Sequence, residues 1–102
     1  MRDLFQKRFD ELLADATKLE STKHMENSEF LGNAEYIDNN LLVTWKVKVK
    51  DLLTKLCGND SEQFKAFCEK ENPKYMATNY SIFKDLQAVL IATKEDYENG
   101  YP

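Results

Sequence analysis

The feature that most constrains this chain is a seven-residue apolar repeat near its start. Phe5, Phe9, Leu12, Ala16 and Leu19 are spaced four, three, four and three. That spacing puts them on one face of an α-helix, and Leu4 and Leu13 widen the face. Arg8, Asp15 and Lys18 fall on the opposite side. The 3.5-residue period suits a helix packed lengthwise on another helix; the run is short for a coiled coil, and a helix within a bundle is the plainer reading. The sequence predicts helix over Arg2–Thr22.

A second apolar series comes next: Leu41, Leu42, Trp45, Val49, Leu52, Leu53 and Leu56 keep a helical period and predict a helix over Asp38–Leu56. Within it, Trp45-Lys-Val-Lys-Val-Lys50 alternates as a strand would. The helical period runs through on both sides, so helix is the reading taken. Gly58 stands where a helix end turns left-handed.

Asn59, Asp60 and Ser61 offer capping oxygens for a short third helix carrying Phe64, Phe67 and Cys68. Pro73 disfavours helical backbone at Asn72, which marks its end. A connection over 72–79 holds Tyr75 and Met76. Asn79 or Ser81 caps a last helix with Ile82, Leu86, Val89, Leu90, Thr93 and Tyr97 inward, and Gly100 ends it. Between the first two helices, residues 23–33 read as a loop. Asn27, Ser28, Gly32 and Asn33 break the pattern there, and Phe30 and Leu31 anchor the loop to the core. The expected fold is all-α: a small four-helix bundle-like domain with a short third helix, one helical domain over residues 1–102. It reads equally as a complete small protein or as one domain of a longer chain.

Composition agrees. Of 102 residues, 42% are hydrophobic and 31% charged, a globular balance, and three Gly with two Pro are few for an all-β fold. The net charge of −4 makes nucleic acid an unlikely partner, since phosphate binding normally shows as a basic surplus. No apolar run reaches the ~18 residues of a membrane span, and the charged N-terminus lacks a signal-peptide core, so no membrane role and a cytoplasmic location are expected.

Chemistry-bearing motifs are missing: there is no Gly-rich phosphate loop, HExxH, CxxC or GxSxG. His24 reads as a solvated loop residue, and Cys57 and Cys68 as small buried hydrophobes. Neither catalytic residue, metal ligand nor cofactor is expected, and the chain is read as no enzyme. Charge is uneven, however. Lys46, Lys48, Lys50 and Lys55 face only Asp51 between residues 41 and 57, either to pair with acids elsewhere in the chain or to meet an acidic partner. Glu95, Asp96 and Glu98 gather at the last helix's C-terminus, where the macrodipole disfavours them. Tyr75, Tyr80 and Tyr101 fall off the helical stripes, as loop anchors or contact residues. The candidate partner-binding residues are therefore Lys46, Lys50, Tyr75, Tyr80 and Tyr101.

The second half also carries a resemblance. It lies in Leu42-Val-Thr-Trp45, Leu53 to Cys57-Gly58, Asp60-Ser61-Glu62, Phe67, Asn79-Tyr80 and Ala92-Thr-Lys-Glu-Asp-Tyr97-Glu-Asn-Gly-Tyr101. Over residues 36–101 the chain resembles the small helical accessory domain that sits N-terminal to effector domains in bacterial defence-type proteins. The resemblance implies an accessory or assembly part beside a nuclease or nucleotide-sensing effector, and assigns no catalytic residue. Two functions are expected: an interaction module that binds itself, as in a homodimer, or an effector domain; or a stand-alone acidic inhibitor or immunity-type protein masking a basic enzyme or toxin.

Overall fold

A computed structural model describes residues 3–29, 32–72 and 77–100. Six elements occur in order: α1 (Leu4–Glu20), β1 (His24–Ser28), β2 (Gly32–Tyr36), α2 (Asn39–Cys57), α3 (Glu62–Glu71) and α4 (Asn79–Glu98). The fold is mostly helical, with one small antiparallel sheet.

The helix starts are set by short polar side chains. Asp3, Asp38, Ser61 and Thr78 each accept a hydrogen bond from a backbone N–H of the first turn of the helix that each precedes. The last of these corrects the expectation of Asn79 or Ser81 as the cap. Thr78 and Ser81 form a reciprocal box, and this frees the Asn79 side chain to bond elsewhere, to the backbone of Ile37. Helix α2 ends at Gly58, whose φ of 87° and ψ of 157° are open in practice to glycine alone. Asn72 ends α3 in extended backbone, as a residue preceding proline should.

The core lies between the four helices, and Ile37 after β2 adds to it. Helix α1 contributes Phe9, Leu12, Ala16 and Leu19, and α2 contributes Leu42, Trp45, Val49, Leu52 and Leu53. Phe67 enters from α3, and Phe83, Leu86, Leu90 and Thr93 from α4. Trp45 packs edge-on against Phe83 at 5.2 Å, and its indole N–H donates to the Leu12 carbonyl at 2.9 Å. Three inward assignments are corrected. Leu4 and Leu41, in the first turns of their helices, are exposed, and α4 turns so that Phe83 rather than Ile82 is fully buried.

The stretch expected to be a loop is a β-hairpin in its described part, so the chain is not all-α. His24 pairs with Tyr36 and Ser28 with Gly32. Lys23 bridges to Glu35 at 3.2 Å, and the Thr22 hydroxyl accepts from the Asp38 N–H at 2.9 Å, closing the base. Phe30 and Leu31, expected to anchor this segment, lie outside the described residues. The hairpin's side chains are largely exposed, and the molecule measures 51 × 26 × 20 Å. Its radius of gyration of 14.5 Å exceeds the roughly 13 Å of a compact 100-residue domain. No described helix is long and apolar enough to cross a membrane.

Helix α1 touches α2 and α4, and α3 touches α2 and α4, whereas α1 and α3 do not meet among the described residues. The α1/α2 seam and the α3/α4 seam therefore lie on opposite sides of the helical body.

Candidate functional site

Of the residues expected to meet a partner, Lys46, Lys50 and Tyr80 are among the described ones; Lys46 and Lys50 stand one turn apart on α2, and Tyr80 lies on α4. The ammonium of Lys50 is paired with Glu71 at the end of α3, and that hydrogen bond holds its proton more firmly than usual. Tyr80 is turned inward. Its hydroxyl donates to Glu20 at 2.7 Å, its ring lies 6.3 Å from that of Phe83, and Lys23 sits 5.1 Å above it. The hydrogen bond to Glu20 raises the Tyr80 pKa and lowers that of Glu20. Lys84 adds a second cation on Glu20 at 3.2 Å. This knot joins α1, the hairpin base and α4. Lys46 makes no ion pair among the described residues; it stands about 160° round the helix from Lys48, on the side away from α1. Tyr75 and Tyr101 lie outside the described residues.

What the structure gathers instead is a surface along α2. Val43 and Val47, one turn apart, are 46% and 63% exposed, and Leu41 at the helix start is 48% exposed. The alternation through 45–50 thus has a helical explanation. Trp45 and Val49 face the core while Val47 faces solvent. Next to this stripe, an open groove of about 230 Å³ runs between α1 and α2. Leu19, Leu41 and the edge of Trp45 line it, and Lys18, Lys48 and Asp15 stand around it. Neither lysine forms an ion pair among the described residues.

A second open groove, about 270 Å³, lies between α3 and α4. Ala66, Val89 and Ala92 line it, with Glu62 and Asp96 at its edges. Neither acid is ion-paired among the described residues. Glu62 belongs to the first turn of α3, where its charge suits the helix dipole. Asp96 sits in the last turn of α4, which holds no basic residue. The free thiol of Cys57 is only partly buried, as is that of Cys68, rather than fully buried as expected; burial, and then the nearby charge of Asp96, push the Cys57 pKa up. No group of three or more His, Cys, Asp or Glu able to hold a metal occurs among the described residues.

The sequence carried a signal for the α2 face, since Val43 and Val47 fall outside the buried 3.6-residue stripe. The grooves had none, because each depends on which helices become neighbours. No family model matches the chain, and no curated protein or solved structure matches it either.

Proposed function

We propose that the domain is a non-catalytic protein-interaction module whose contact surface is the outer face of α2. Taken with the resemblance of residues 36–101, it serves to assemble or restrain an effector in a bacterial defence system. The observation that supports this most is the exposure of Val43 and Val47, one turn apart on that face. At ~25 cal/mol per Å², covering each of these half-exposed side chains returns on the order of 1 kcal/mol. A soluble helix gains nothing from presenting them to water. Lys46 beside them, without an ion pair among the described residues, gives the surface direction as well as stickiness, because flanking charge selects the partner more than it adds affinity.

A photo-cross-linking residue placed at position 47 tests the reading in cells of the source organism, with position 7 on the exposed side of α1 as the control. Position 47 should yield a discrete protein adduct absent from position 7. The reading is lost if position 47 gives no adduct, or only the adducts that position 7 gives.

A further inference from the structure

We infer that a second copy of the same chain docks in the α1/α2 groove at the flank of this surface, joined head to tail. The inference rests on the interaction reading and names the occupant of the groove that Leu41 and Lys48 border. The two grooves are complementary in kind. Both have apolar floors of similar capacity, about 230 and 270 Å³. The α1/α2 groove is bordered by Lys18 and Lys48 and the α3/α4 groove by Glu62 and Asp96. Asp15 tempers the first groove, leaving it one positive charge in surplus against two negative in the second.

None of these four border charges, Lys18, Lys48, Glu62 and Asp96, has an ion pair among the described residues, although Lys50, Lys55, Lys84 and Lys94 each have one. Asp96 is the least comfortable of them. It is a carboxylate at the negative end of a helix with no cation in that turn. A lysine from another copy relieves that repulsion, and Asp96 in turn gives the lysine a partner.

Geometry decides the form of the assembly. A surface meeting its own image closes a two-fold dimer, whereas two different surfaces make a heterologous contact. Here the seams lie on opposite sides of the body, because α1 and α3 do not touch among the described residues. Each copy can thus offer its basic groove to one neighbour and its acidic groove to another, so the contact propagates as an open row. The contact departs from the expected homodimer in this respect.

Two charge-reversed chains test it: K18E/K48E, with the basic groove spoiled, and E62K/D96K, with the acidic groove spoiled. Circular dichroism confirms folding, and K18Q/K48Q with E62Q/D96N serve in place of a reversal that fails to fold. Sedimentation of the unaltered chain at about 1 mM, a concentration at which a millimolar contact is substantially formed, should show species larger than a dimer. Raising the salt from about 0.05 to 0.5 M should weaken the association about tenfold or more, since the pairs lie in solvent-accessible grooves. Each variant alone should be monomeric. Mixed, the two reversed chains present opposite charges at both contacts, sound groove to sound groove and reversed groove to reversed groove, and should regain species larger than a dimer, whereas K18Q/K48Q mixed with E62Q/D96N keeps one charged contact and should stop at a 1:1 dimer. A monomeric unaltered chain, a variant that still assembles alone, or a mixture of the reversed chains that stays monomeric overturns the inference. A monomeric chain whose position 47 still cross-links to a different protein removes self-assembly and leaves the interaction reading standing.

Discussion

Asn79 closes a pair of hydrogen bonds on a single residue, Ile37. Its side-chain N–H donates to the Ile37 carbonyl at 2.8 Å, and its side-chain oxygen accepts from the Ile37 N–H at 2.9 Å. The amide stands in for the backbone of a third strand at the point where the hairpin hands over to α2. Asn79→Ala removes both bonds and leaves two backbone groups beside the buried Ile37 side chain without partners, at about 1–3 kcal/mol. Asn79→Asp keeps the acceptor, loses the donor and sets a carboxylate against a carbonyl. Both should unfold at lower temperature than the parent chain, by about 4–8 °C for each kcal/mol in a domain of this size. Scanning calorimetry measures the shift, and an unchanged midpoint for Asn79→Ala would remove the role given to this pair.

Trp45 combines a buried ring with a hydrogen bond across to α1. Trp45→Phe keeps most of the ring and drops the donor, and should cost about 1–2 kcal/mol. Trp45→Ala opens a cavity at the centre of the core and should cost about 3–5 kcal/mol. Urea denaturation of the two variants, followed by circular dichroism, separates the contributions. Equal losses would mean that the bond to Leu12, and not the packing, dominates.

Gly58 needs its backbone conformation rather than its small size. Open space surrounds the position a Cβ would take, so Gly58→Ala should destabilise only through the φ and ψ it must hold, by about 1–3 kcal/mol. The loss should fall on the α2–α3 junction, where the Gly58 N–H donates to the Leu53 and Thr54 carbonyls. Amide exchange faster at residues 53–62 than elsewhere in the helices is the expected signature.

The histidine gives the hairpin a pH dependence. Nδ1 lies 2.9 Å from the Thr22 carbonyl and Nε2 lies 2.6 Å from the Glu26 carboxylate, an arrangement that suits a ring with a proton on both nitrogens. The carbonyl contact first, and then Glu26, raises the His24 pKa above its ordinary 6.5. A raised folded-state pKa stabilises fully below the unfolded value and is lost as pH rises through the folded one. The hairpin should therefore be better protected at a pH about one unit below 6.5 than about two units above it. An NMR titration of the ring should give a midpoint above 6.5, and His24→Gln should flatten the dependence of hairpin exchange on pH.

Much of the helical frame was legible. Asp38 and Ser61 are cap residues placed directly before apolar periods, and Asn72 before Pro73 is a stop that local sterics enforce. The hairpin was not, because its strands carry no apolar alternation. His24, Met25, Glu26 and Asn27 are all exposed, so periodicity has nothing to register. Phe83 escaped notice because Ile82 beside it fits the same stripe, and only packing against Trp45 decides between them. For Lys50 the reading as an internally paired cation is the one that fits, but the pairing residue was hidden for a similar reason. Its partner Glu71 lies on a different helix, and sequence spacing cannot anticipate that meeting.

The knot at Glu20 has a mechanical consequence. One carboxylate receives Tyr80, Lys84 and Lys23 on one side of the hairpin's base, while the buried side chain of Ile37 holds the other side, where β2 leaves the hairpin. Ile37 acts as a pivot and Glu20 as a stop. The first is indifferent to dissolved ions and the second is weakened by them. Added salt should therefore loosen the hairpin's base at Glu20 before it loosens the contact at Ile37.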